Sequence, residues 1–284
     1  MGHNLRPSSI WLSLVLTVYN RLVIVSPNNG LQTIIADYNS SSPRWLPEFS
    51  REVLPVPCHS HNDYMHRVPL YEGVAAGCVS MEADIWYQTP SGTPDLLVGH
   101  NLKSLKQDRT LKSLYLDPLF EILTQQNTPS NSTKTRRDTI FPMTNSTSDI
   151  KGVFDSASNT SLVLILDFKT GSFDTWDLVM SQLSPFREKG WLTTWTSSQS
   201  LVSGPLTIVA SGASSLSWIT SNDTYRDVFF DAPLLSLTNS TYNTNNSYYA
   251  SSSLPGAVGK TWFGRFSWTQ KEKVRATTLL PVCP

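Results

Sequence analysis

Apolar residues in this chain gather in short runs, and several of those runs end in polar pairs. The most apolar run, Leu162-Val163-Leu164-Ile165-Leu166, is continuous. Such a run marks a strand buried on both faces, as in a parallel sheet covered by helices. Further strands are predicted at 53–59, 79–86, 96–99, 206–210 and 228–231. The first carries Pro55 and Pro57, neither of which can donate to a ladder. Between the strands the pattern predicts a short helix at 70–76 and a second from Asp117, as cap, to about Gln125. Leu119, Phe120 and Leu123 share the apolar face of that second helix. A third is predicted over 173–188, with Pro185 breaking its end, and a last helical stretch over 268–278. Alternating short strands and helices predict an α/β fold, a TIM-type (β/α) barrel. Six strands fall short of the eight that closure needs, so the barrel is expected to be incomplete at the C-terminus or to have further strands within 240–260.

The polar pairs are His59 and His61, Glu82 and Asp84, and Asp167 and Lys169. Residues two apart on a strand point to one face, so each pair presents two polar groups together. His100 closes the run Leu96-Leu97-Val98-Gly99. Barrel enzymes carry their chemistry at the C-terminal strand ends, where these residues are expected. Glu82 and Asp84 alternate with Met81, Ala83 and Ile85. Buried in a lumen, two carboxylates are costly unless a cation neutralises them, and hard oxygen ligands suit Mg²⁺ or Ca²⁺. A solvated strand face is the plainer alternative for that pair. Asp167 is the third ligand candidate, and Lys169 is placed to meet a phosphate. For the His-x-His pair, a transition-metal site of the amidohydrolase kind needs more histidines downstream. The five are His3, His59, His61, His66 and His100, so that reading fails. General acid and base roles for one of the pair and His100 remain.

The formal net charge is zero, with 15% charged residues, which excludes a nucleic-acid face. A ten-residue apolar run begins at Ile10, behind Arg6. It is too short to span a bilayer and reads as a signal-peptide core or membrane anchor over 1–26. Residues 27–52 read as a linker and 53–284 as the barrel, with a Ser/Thr/Asn-rich insertion at about 127–160. Seven Asn-x-Ser/Thr acceptors begin at Asn39, Asn131, Asn145, Asn159, Asn222, Asn239 and Asn245, which favours the secretory pathway. Three cysteines, Cys58, Cys78 and Cys283, allow at most one internal bridge. Cys58 is expected as a small buried residue facing away from His59.

Taken in order, Cys58-His59-Ser60-His61-Asn62-Asp63-Tyr64, Pro69-Leu70, Gly77-Cys78, Glu82-Ala83-Asp84, Val98-Gly99-His100, the LYLDPL stretch from Leu114 to Leu119, and Asp167-Phe168-Lys169-Thr170 resemble the fungal altered inheritance of mitochondria protein 6 family. That family stands among the phospholipase-C-like phosphodiesterases, and the resemblance covers roughly 53–270. It implies a TIM-type barrel, a divalent metal held by Glu82, Asp84 and Asp167, Lys169 on the phosphate, and His100 as one of two catalytic histidines. The second is His61 or His59, with His61 preferred. The expected function is metal-dependent hydrolysis of a glycerophosphodiester or (lyso)phospholipid-like substrate, with possible membrane association. The rival expectation is a non-catalytic lumenal or membrane-associated binding protein of the same fold.

Overall fold

The computed structural model describes residues 33–35, 49–128, 150–237, 241–260 and 265–278. In chain order its elements are β1 (Val56–Ser60), α1 (Tyr71–Ala75), β2 (Cys78–Gln88), β3 (Asp95–Val98), α2 (Asp117–Asn127) and β4 (Leu162–Phe168). There follow α3 (Phe173–Gln182), α4 (Ser184–Glu188), β5 (Thr194–Thr196), β6 (Ser200–Val202), β7 (Leu206–Gly212) and α5 (Leu216–Ile219). The chain continues through β8 (Tyr225–Arg226), β9 (Val228–Pro233), β10 (Ser247–Ser251), α6 (Leu254–Val258) and α7 (Trp268–Thr278).

Six strands form one parallel sheet in the order β1-β2-β4-β7-β9-β10. Sequence order matches spatial order, as expected when each strand crosses over to its parallel neighbour. The sheet is curled into a half-barrel, and among the described residues β1 and β10 do not pair with each other. The architecture is therefore α/β and compatible with part of a TIM-type fold. Strand 96–99 is not a barrel strand: β3 turns back antiparallel on the distal part of β2, pairing Ile85 with Val98 and Gln88 with Asp95. The sixth parallel strand is instead β10, within the 240–260 region.

Alternation on the central strands divides the apolar residues between two faces. Leu162, Leu164, Leu166, Ile208 and Ala210 join the large cluster that also takes in Leu119, Ile122 and Leu123 of α2 and Val179 of α3. Val163, Ile165 and Val209 form a small separate cluster with Tyr248 and Tyr249. The first group lies on the convex, helix-covered face and the second on the concave face.

Several local features depart from the expectations. Asp117 does not cap α2, because a π-helical turn, Lys112–Leu116, runs directly into it with helical backbone at Leu116. Pro185 does not merely end a helix but starts a second one, α4, where its missing N–H costs nothing. Of the insertion, residues 129–149 lie outside the described residues, whereas Val153 and Phe154 are buried in the core. Ile34, Phe49 and Ser50, within the stretch read as a linker, are also buried. Cys58 is not simply a small buried residue: it is half-buried and forms a disulfide with Cys78. The strand register shifts between Val56 and His59, so simple alternation fails there. No helix among the described residues is long and apolar enough to cross a membrane; the run from Ile10 lies outside them.

Candidate functional site

Two neighbouring parallel strands deliver the acidic residues. Asp84 on β2 lies opposite Asp167 on β4, and Asp167 lies opposite Ser211 on β7. Asp167 is at the end of β4 as expected, but Glu82 and Asp84 are mid-strand, since β2 runs on to Gln88 to meet β3. The parallel register still sets them beside the end of β4. Oxygens of Glu82, Asp84 and Asp167 lie within 4.8 Å of one another. This cluster could hold a metal.

The fit can be judged from the side chains. Asp84 is almost fully buried, at 1% exposure, and its Oδ1 has no hydrogen-bond partner. A buried carboxylate oxygen left unpaired is costly and calls for a cation or donor. Burial pushes the Glu82 carboxyl above its ordinary range; Asn62 and His61 oppose that, and Asp84 and Asp167 reinforce it. A divalent cation would remove that like-charge repulsion, and an all-carboxylate donor set matches a hard ion. Lys169 partly fills the need: its Nζ lies 2.5 Å from Asp167 Oδ2 and 3.2 Å from Asp84 Oδ2. Burial pulls the Lys169 ammonium down, but Asp167 and Asp84 outweigh it and leave it above the ordinary lysine value.

The loop after β1 brings imidazoles to the acidic cluster. His61 Nε2 is 3.4 Å from Glu82 Oε2, and the Asn62 N–H donates to the same oxygen at 2.8 Å. Asn62 achieves this with a left-handed backbone, φ 52°, which asparagine tolerates better than most residues. Beneath the loop, the fully buried Asp63 accepts from the Ser60 hydroxyl at 2.7 Å, the Leu70 N–H at 2.6 Å and the Tyr115 hydroxyl at 3.1 Å. These bonds tie the loop to the core. His59 faces the same cavity, but its Nδ1 meets the Ser80 hydroxyl at 2.8 Å. Burial, and then the neighbouring His61, hold its imidazole below the ordinary histidine value.

On the other side stands His100, with Nδ1 3.8 Å from Asp84 Oδ2. The Trp86 indole donates to the Gly99 carbonyl at 2.6 Å and fixes the backbone just before it. Tyr64 joins the two sides. Its hydroxyl donates to Asp84 Oδ2 at 2.8 Å and lies 3.4 Å from His100 Nδ1. Burial and the Asp84 carboxylate push the Tyr64 phenol far up, so it stays protonated as a donor. Asp167 imposes one further constraint. Gly212 has φ +65°, and a Cβ there would sit 1.9 Å from Asp167 Oδ1.

The structure thus brings His59, His61, Glu82, Asp84, His100, Asp167 and Lys169 to one end of the half-barrel. Asn62, Asp63 and Tyr64 belong to the motif that carries the resemblance but have no role assigned there; Gly212 and Asp231 were not anticipated. Asp231 lines the cavity beside His59 and Glu82, and burial raises its carboxyl. It follows Val228-Phe229-Phe230 just as Asp167 follows its own apolar run. That signal was available in the sequence.

Comparison with known proteins adds the family context. The sequence profile of the AIM6-like phosphodiesterase domain matches residues 47–231. The altered inheritance of mitochondria protein 6 homolog of Arthroderma benhamiae is 33% identical over 261 residues, 89% of this chain and 76% of that protein. Altered inheritance of mitochondria protein 6 of Saccharomyces cerevisiae, strain RM11-1a, is 35% identical over 217 residues, 70% of this chain and 51% of that protein. The Kluyveromyces lactis protein of that name is 35% identical over 170 residues, 58% of this chain and 40% of that protein. The chain thus spans only about half or less of these two yeast relatives. No solved structure matches.

Proposed function

This chain belongs to the AIM6-like phosphodiesterase family, and from that premise we propose that it is a divalent-metal-dependent hydrolase of phosphodiesters. The observation that carries the reading is the set of three carboxylates sharing one 4.8 Å neighbourhood, with His61 against Glu82 and His100 against Asp84. Glu82, Asp84 and Asp167 would hold Mg²⁺ or Ca²⁺. When bound, such an ion supplies Lewis-acid stabilisation of charge on the phosphate oxygens.

The chain's own groups do the rest. His61, largely exposed and braced by the Glu82 carboxylate, takes a proton from the nucleophile, which is water or a neighbouring hydroxyl of the substrate. His100, on the Asp84 side, donates a proton to the leaving oxygen. Its exposure, like that of His61, leaves room for substrate. Lys169 carries a fixed positive charge toward the phosphate, maintained by Asp84 and Asp167. Tyr64 and Asp63 position the groups that react. His59, held by Ser80, shapes the cavity in this scheme, and His61 is the base.

A glycerophosphodiester or lysophospholipid-like compound is the proposed substrate class. The test is turnover of such a panel with Mg²⁺, Ca²⁺ or chelator. Turnover should need the metal and should fall in both His61→Ala and His100→Ala; retention of full turnover by both variants rules the scheme out. A second reading, a binding protein without turnover, is favoured by the lack of pairing between β1 and β10 among the described residues. Metal and ligand binding without hydrolysis would select it. Entry to the secretory pathway is also proposed: Asn159, Asn222 and Asn245 are exposed acceptors. A mobility shift on glycosidase treatment of the native protein tests that placement.

A further inference from the structure

A cavity of about 630 Å³ runs along the concave face of the sheet. One wall carries His59, His61 and Glu82, and the wall from β9 and β10 carries Asp231, Tyr249 and Ser251. Asp231 lies outside the three-carboxylate cluster. Its Oδ2 accepts from the Ser251 hydroxyl at 2.5 Å, while Oδ1 has no hydrogen-bond partner. The reaction scheme has no use for this carboxylate. Tyr249 is its direct partner across the β9–β10 ladder, which sets an aromatic ring beside it.

Charge balance narrows what this wall can receive. Among the described residues, Glu82, Asp84, Asp167 and Asp231 share one end of the half-barrel with a single ammonium, Lys169, which is paired to Asp84 and Asp167. With a divalent cation on the cluster and His100 protonated as the scheme requires, four positive charges match the four carboxylates. A phosphodiester monoanion then leaves one negative charge in excess. A substituent bearing a positive charge offsets it, and its N–H groups supply donors to the Asp231 carboxylate as well. A quaternary ammonium offers charge without a donor, and a polyol offers donors without charge.

Resting on the phosphodiesterase reading above, we propose that the Asp231–Tyr249 wall binds the protonated primary amine of one alcohol substituent, so that 2-ammonioethyl phosphodiesters are the preferred substrates. Amine N–H groups donate to Asp231, and the cation lies against the Tyr249 ring.

The test is calorimetric binding of O-phosphoethanolamine, its N-methyl, N,N-dimethyl and N,N,N-trimethyl analogues, and glycerol 3-phosphate to the full chain with Mg²⁺ present. Affinity should fall stepwise as N–H donors are lost, with a total span of about tenfold. Asp231→Asn, which keeps an acceptor for Ser251, should abolish that span. A flat methylation series in the wild-type protein overturns the proposal even if the variant fails to fold. So does a span that survives intact in a folded Asp231→Asn. The phosphodiesterase reading fails separately, if none of the matching diesters is hydrolysed, whatever the binding series shows.

Discussion

The two faces of the central sheet are built from the same strands and do different work. On β4, Leu162, Leu164 and Leu166 enter the large cluster under the helices, while Val163 and Ile165 reach only a small one and Asp167 follows them in the alternation. The convex face supplies most of the buried apolar area and hence the stability. The concave face gives up apolar packing toward its C-terminal end and concentrates carboxylates there. Chemistry and folding are therefore separable by choosing a face.

The largest effect should come from the concave face. Asp84→Asn and Asp167→Asn are each expected to lower kcat/KM by roughly 10³-fold through lost metal stabilisation of the transition state. Both should leave the thermal midpoint unchanged or raised in metal-free buffer, because each removes a charge from a crowded acidic cluster. Leu164→Ala, two positions before Leu166 on the other face, should show the reverse. Its cavity is expected to cost about 2–5 kcal/mol in denaturant unfolding, with the kcat of the folded fraction little changed. If Leu164→Ala leaves stability intact, or the aspartate variants unfold, the division between the faces is wrong.

Smaller effects sharpen the concave face itself. His61→Ala and His100→Ala should each cost roughly 10²-fold in kcat. His59→Ala should cost less, because its ring is engaged with Ser80 rather than with the cluster. A larger loss in His59→Ala than in His61→Ala would exchange their roles.

The smallest expected effect is on stability against pH. The Glu82 carboxyl is raised in the folded chain, so between its ordinary value and its raised one the folded state binds more protons than the unfolded state. Stability then falls as pH rises through that window; the contribution is fully present below the ordinary value and is lost above the raised one. Asp63 and Asp231 shift in the same direction. Saturating Mg²⁺ should raise the thermal midpoint more at pH 7 than at pH 4, since protons compete for the same oxygens. An equal rise at both values would place the ion elsewhere.

Much of the concave face was legible because strand alternation is simple and a buried strand has an unmistakable composition. The strand over 162–168 needed only its continuous apolar run. Glu82, Asp84, Asp167 and Lys169 followed from the two-residue period. What escaped notice did so for physical reasons. β10, Ser-Tyr-Tyr-Ala-Ser, is expected only as a further strand somewhere within 240–260, and the small sheet of β5, β6 and β8 not at all, because these strands are short and no continuous apolar run marks them. The antiparallel return of β3 depends on a turn whose geometry the pattern does not encode. With three cysteines the pairing of Cys58 and Cys78 could not be chosen by counting. Tyr64 and Asp63 act through contacts that span 20 and 52 residues of sequence, beyond the reach of local pattern.

The account depends most on one divalent ion being shared by side chains from β2 and β4. Calorimetric titration of the full chain with Mg²⁺ and with Ca²⁺, beside Asp84→Asn and Asp167→Asn, measures this directly. One ion per chain, with binding lost in both variants, is the expected result. Absence of binding by the folded wild-type protein, or unchanged binding in the variants, would contradict it.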